Sequence, residues 1–201
     1  MSYRGRRLNR IGGPGPNVGG RCFPELMLET AAEIAALQAL LDRSMARAGP
    51  HLREILTSDV LMPASDIVER MSGMQLLTAS TVSGVGRPVS GAVDGYLLHG
   101  ELWFSSGDRA VRTSHLRRNA AVSATWLPDE RTQLIVHGNA EVLPFGDARA
   151  AELREAMLEY YVPREGDEWA KYLDDFVAEG AVAFRIAARK VFAYHRDAGI
   201  S

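Results

Sequence analysis

The sequence predicts a mainly β fold with flanking helices, its strands closed into a barrel. Three observations carry this. Six or so short runs rich in Val, Ile, Thr and aromatic residues follow one another, bounded by glycine, proline or polar turns. One short helical segment falls inside that series, whereas an alternating α/β fold needs a helix between most strands. The chain has 201 residues, 46% of them hydrophobic, enough for one domain with a core and an appendage.

Residues 1–24 read as an extended tail. Arg4, Arg6, Arg7 and Arg10 precede Gly12-Gly13-Pro14-Gly15-Pro16 and Gly19-Gly20. Glycine raises the entropy cost of ordering and proline removes a donor, so no regular element is expected there. The run lacks the Gly-Lys-Ser/Thr ending of a phosphate-cradling loop. Residues 25–57 read as a helical extension. Over 25–48, Ile34, Leu37, Leu41 and Met45 recur at helical spacing, Leu40 widens the stripe, and Gly49-Pro50 stops it. Such a stripe is buried on the protein's own barrel, on a second copy, or on another protein.

The barrel domain is expected over 58–197. A short helix over 64–72 enters after Pro63, with Ser65 or Asp66 available as its cap. The period then changes to two. Strands are expected over 76–82 and 88–93, joined by the turn Ser83-Gly84-Val85-Gly86, then over 96–98 and 101–106. Residues 109–119 read as a basic helix. Strands over 121–126 and 133–143 follow, then helices over 146–161 and 167–179, and a last strand over 181–194.

Composition excludes several functions. A net charge of -2 argues against a nucleic-acid binder, which needs a basic surface. The single cysteine, Cys22, has no internal disulfide partner, which fits a reducing, cytoplasmic setting. No run approaches the ~20 apolar residues of a membrane helix. His51, His99, His115, His137 and His195 are scattered, with no metal-ligand spacing. Trp103, Trp126 and Trp169 read as core or rim residues.

The run Phe104-Ser105-Ser106-Gly107-Asp108-Arg109-Ala110-Val111-Arg112 carries the most chemistry. A strand ends in two hydroxyl residues and a glycine, and a basic helix opens. Helix N-termini expose unpaired N–H groups and a partial positive charge, so Ser105, Ser106 and Arg112 can frame an anion pocket. On composition alone, Arg109, Arg112, Arg117 and Arg118 read more simply as a solvated face.

In order, Gly86-Arg87-Pro88, Leu102-Trp103-Phe104-Ser105-Ser106, His115-Leu116-Arg117-Arg118-Asn119, the strand over 121–126, Gln133 and Gly138-Asn139-Ala140-Glu141 resemble the flavin-binding proteins related to pyridoxamine 5′-phosphate oxidase. The likeness runs over about 65–195. It implies a six-stranded antiparallel split β-barrel, a homodimer with the cofactor between subunits, and hydride transfer from bound FMN to a small molecule. It places Arg112 on the phosphate, Ser105 and Ser106 on the phosphate and ribityl chain, and Gly91, Ala92, Val93 and Asp94 along the ring. Gln133 falls on a glutamine that reaches in from the second subunit. Val111 stands where a second basic residue is common, and Arg109 is the substitute one turn away. No substrate-gripping segment of the oxidases follows Tyr194. A branch of this fold uses the deazaflavin coenzyme (F420), whose acidic tail would suit Arg109, Arg117 and Arg118. A non-catalytic carrier of flavin, deazaflavin or haem is the remaining alternative.

Overall fold

The structure is a computed structural model and describes residues 29–196. The tail over 1–24 and Cys22 lie outside the described residues. A capping box opens α1 (Ala31–Ala46): the Glu33 N–H donates to Thr30 Oγ1, and the Thr30 N–H donates to the Glu33 carboxylate. Leu37 and Leu41 are buried in the barrel core, with Ile34 and Leu40 packed beside them. The stripe is therefore buried on the protein's own barrel. Ser44 adds a polar tie, donating to the Leu40 carbonyl and accepting the Val191 N–H at 3.0 Å.

The helices differ from the sequence reading in detail, the one expected from 146 beginning at Ala151. Gly49-Pro50 ends α1 but also opens α2 (Pro50–Ile55), because a proline at the first helical position has no N–H to lose. The next helix, α3 (Ala64–Arg70), starts before Ser65 and Asp66, so neither caps it. The Gln38 side chain of α1 does so instead, accepting the Ala64 N–H at 2.8 Å. A cap supplied from 26 residues away leaves no local signature.

The strands are β1 (Gln75–Val82), β2 (Pro88–Leu98), β3 (Glu101–Ser106), β4 (Ala121–Trp126), β5 (Thr132–Pro144) and β6 (Val182–His195). Between β3 and β4 lies α4 (Val111–Arg118); between β5 and β6 lie α5 (Ala151–Glu165) and α6 (Glu168–Ala178). The strands close in the order β1-β2-β3-β6-β5-β4, every neighbour antiparallel. The segments expected at 88–93 and 96–98 form one strand. Asp94-Gly95 reads as a break, but Gly95 is buried in the ladder, pairing with both Gln75 and Phe104.

Alternation fills the barrel. Leu77, Ala79, Val93, Leu102, Phe104, Val122, Ala124, Leu134, Val136, Phe184 and Ile186 point inward, and Phe104 stacks on Phe184 at 4.7 Å. Helices α1, α3 and α4 add Leu37, Ile67, Met71 and Leu116 to the same core. A second cluster on the outside of β2 and β3 joins Tyr96, Leu98 and Trp103 to Leu153, Met157 and Leu173 of α5 and α6. No helix among the described residues is long and apolar enough to cross a membrane.

Candidate functional site

Strands β2 and β3 part halfway along. Their register ties Gly95 to Phe104 and Leu98 to Glu101, and ends there. From Pro88 to Asp94, β2 pairs with β1 alone, while Ser105 and Ser106 of β3 pair with β6 alone. The barrel forks between them. The strands diverge before β3 ends, at Ser105 and Ser106, and Gly107 then leads the chain away into α4 while β2 runs its full 11 residues along β1. Gly91, Ala92, Val93 and Asp94 lie on one flank, Ser105 and Ser106 on the other. Backbone groups of an unpaired strand edge are ready hydrogen-bonding partners for a ligand.

Helix α4 is held at the fork by three side chains. Leu116 is in the core; Thr113 is buried and donates to the Gly107 carbonyl at 2.8 Å; the buried His115 Nδ1 lies 2.9 Å from Thr81 Oγ1. That anchoring sets where the arginines reach. Arg112 Nη1 donates to the Ala92 carbonyl at 3.2 Å, on the unpaired part of β2. A Cβ on Gly91 would sit 3.2 Å from Arg112 Nη2, so the guanidinium packs closely on the bare backbone there. Arg118 Nη2 donates to the Val82 carbonyl at 3.0 Å, near the β1–β2 hairpin. Arg117 is taken up by Asp108 at 2.6 Å. Arg109 is exposed and has no ion pair among the described residues. The first turn of α4 carries no acidic residue and no side-chain cap; the Thr113 and Ser114 N–H groups donate to the Ala110 carbonyl, which leaves those of Val111 and Arg112 for an anion.

Of the sequence-derived residues, Gly91 to Asp94 and Arg112 meet at the fork through the Arg112–Ala92 bond, and Ser106 lies on its β3 flank; Arg109 is exposed in the turn before α4. Ser105 turns to the α5 side, its Oγ 4.0 Å from Met157 Sδ. Gln133 is elsewhere: it lies on β5, three strands from Asp94 across β1 and β4, roughly 14 Å at the usual strand spacing. These residues fit a phosphorylated flat heterocycle, with the phosphate on Arg112, Arg109 and the α4 N-terminus and the ring along the β2 edge.

An aromatic row on α5 and α6 borders the same fork. Tyr161 Oη donates to the Asp94 carboxylate at 2.6 Å. Burial first, and then this bond to a carboxylate, push the Tyr161 phenol well above its ordinary range, so it stays a donor. Tyr161 stacks on Trp169 at 4.1 Å, Trp169 meets Tyr172 at 5.7 Å, and Tyr172 lies over Phe176 at 6.3 Å. Phe176 reaches the other flank, 3.8 Å from where a Gly107 Cβ would lie. The sequence reading took Trp169 as a core or rim residue and passed over the rest. Their spacing, 169, 172 and 176, is a helical face and was the available signal.

The histidines build no metal site, and no group of potential metal ligands occurs among the described residues. His99 instead bridges two helices, its Nδ1 on Glu33 at 2.8 Å and its Nε2 on Glu152.

No family model and no curated protein matches the chain. Solved structures do. Over 72% of this chain and 96% of its own length, the conserved hypothetical protein Rv2991 from Mycobacterium tuberculosis superposes with a TM-score of 0.59 at 19% identity. HutZ, a haem storage protein from Vibrio cholerae, matches 60% of this chain and 86% of its own, with a TM-score of 0.50 and 17% identity. A candidate pyridoxamine 5′-phosphate oxidase from Listeria innocua covers 59% of this chain and 87% of its own, with a TM-score of 0.46 and 16% identity. The fold is the split β-barrel. The resemblance read over about 65–195 holds at that level.

Proposed function

We propose that the chain is a cytoplasmic FMN-dependent oxidoreductase that seats its cofactor in the fork between β2 and β3. The observation that carries this reading is Arg112, fixed on the Ala92 carbonyl beside Gly91 at the open first turn of α4. One guanidinium N–H is used there; the others remain for a phosphate, to which they make charge-assisted bonds. Bound flavin would supply hydride transfer to or from a small molecule. The chain's own work is to neutralise the phosphate with Arg112 and Arg109, to line the ring with the β2 backbone, and to exclude water.

We further propose a homodimer across the outer face of β2, β1, β4 and β5. Mostly small side chains share that face in rows, Ala92-Thr78-Thr125 and Ser90-Ser80-Ser123, ending in Ile135 and His137 on β5, and Leu76 beside them is 64% exposed. A second copy docked there would bring its Gln133 toward the fork. Deazaflavin is the second reading, favoured by the exposed Arg109, which a longer acidic tail would engage.

The test is an absorbance spectrum of the purified protein titrated with FMN, with deazaflavin and with haem. Saturable uptake of FMN with a perturbed flavin band is the expected result. Uptake of deazaflavin alone selects the second reading, and uptake of haem alone overturns both.

A further inference from the structure

We propose that Tyr161, Trp169, Tyr172 and Phe176 form the substrate wall of the fork, and that the substrate is a flat, electron-poor ring carrying an N–H or O–H donor directed at Asp94. This deepens the oxidoreductase reading and rests on it.

The row joins the two flanks of the fork. Tyr161 touches Asp94 on the β2 side and Phe176 touches Gly107 on the β3 side. Helix α6 gives its buried Leu173 to the second cluster, packs Trp169 and Phe176 half-buried against it, and leaves Tyr172 59% exposed. The row therefore presents one open ring and the outer edges of its half-buried neighbours beside the fork, a surface that a planar ligand can cover. Tyrosine and tryptophan present electron-rich faces, which stack best on electron-poor rings.

Asp94 sets the polar requirement. Its Oδ2 holds the Tyr161 hydroxyl, and Asp94 has no ion pair among the described residues. The carboxylate therefore keeps acceptor capacity at the end of the row, which favours a donor on the ligand and disfavours an anion. The cation near the row, Arg164, lies over the Tyr160 ring at 3.8 Å rather than on Asp94.

A planar ring could be the substrate's or the cofactor's own, and the experiment separates them. Full-length wild type, Tyr172→Ala, Trp169→Leu and Tyr161→Phe are each titrated with FMN, and then, with and without FMN, with 4-nitroaniline followed by the shift of its absorbance band. Cyclohexanecarboxamide serves as the saturated competitor. The expected result is unchanged FMN affinity, 4-nitroaniline binding that the saturated amide does not displace, and a weakening of about 3- to 10-fold for each ring lost, the worth of one aromatic pair. Tyr161→Phe keeps the ring but removes the hydroxyl that holds Asp94 in place, so it should change the affinity for 4-nitroaniline and leave that for a ring-only analogue, nitrobenzene, as in wild type. Unchanged 4-nitroaniline affinity in Tyr172→Ala and Trp169→Leu overturns the proposal. So does a parallel loss of FMN affinity, which would give the row to the cofactor. The titration without FMN still reads the wall if FMN itself fails to bind, so the two readings fail separately.

Discussion

Arg112→Ala separates a cofactor arginine from a structural one. In the described structure Arg112 makes one hydrogen bond, from Nη1 to the Ala92 carbonyl at 3.2 Å. Removing it should cost the fold no more than about 0.5–1.5 kcal/mol, the net worth of an ordinary bond. A charge-assisted bond to a phosphate is worth about 1.5–3 kcal/mol, so FMN affinity should fall by roughly 10- to 150-fold. Arg118 supplies the matched control. It also donates to a strand carbonyl, Val82 at 3.0 Å, from the same helix but away from the unpaired β2 edge at Ala92. Arg118→Ala should thus cost similar stability and little cofactor affinity. Arg112→Lys keeps the charge but not the planar fork of donors, and should recover only part of the loss. Flavin fluorescence titrations at fixed ionic strength, with urea midpoints for each variant, read both quantities. An Arg112→Ala dissociation constant within twofold of wild type refutes the reasoning, as does an equal loss in Arg118→Ala.

Gly138→Ala should lower the urea midpoint, since the new Cβ would lie 2.3 Å from the Ala187 carbonyl at the β5–β6 bulge; overpacking of this kind costs about 1–3 kcal/mol, and an unchanged midpoint would mean the bulge relaxes freely. His99→Asn should give a pH-dependent loss of stability. Partial burial lowers the His99 pKa, but Glu152 and Glu33 raise it more, so the net shift is upward, while the Glu33 carboxyl is held down, first by the Thr30 N–H. A raised histidine contributes fully below its unfolded value of about 6.5 and loses the contribution as pH climbs through the folded value; the carboxylates must also be charged, so wild type should lead the variant most between about pH 5 and 6.5 and converge above it. Asparagine suits the test because residue 99 has φ of 54°. A melting-temperature difference that is flat with pH would dismiss the bridge. Gln133→Ala should weaken FMN binding only where light scattering shows a dimer; equal weakening in monomeric protein would contradict the cross-subunit role.

Much of the fold was legible because it is written locally. The period-two runs became strands within a residue or two, and the stripe of α1 became a buried face because hydrophobic periodicity reports burial directly. What escaped was supplied from a distance. Pro63 precedes α3, yet the cap of Ala64 comes from Gln38. Asp94-Gly95 reads as a break, yet Gly95 has no side chain because one would strike Leu77 at 2.2 Å. At the site, motif order named Gly91, Ala92 and Arg112, which the Arg112–Ala92 bond joins in space. The Tyr161–Asp94 bond spans 67 residues and belongs to no motif, so only the structure could join the aromatic row to the fork.

The fork itself links these observations. An unpaired strand edge invites pairing with another chain, and a closed barrel normally abolishes such edges. Here β2 keeps one from Pro88 to Asp94 inside an otherwise closed barrel. Its neighbours act as a cover without pairing with it as a strand would. Arg112 satisfies the Ala92 carbonyl, Tyr161 holds Asp94, and Phe176 packs over Gly107. A β3 that stayed on the β2 register beyond Phe104 would close the edge and remove the site. Extending the Gly95–Phe104 register would pair residue 106 with 93 and its successors with 92 and 91, where the guanidinium now sits. The divergence of β3 at Ser105, Gly107 and the arginine in the first turn of α4 therefore act as one device, which keeps a strand edge open, charged on one side and aromatic on the other.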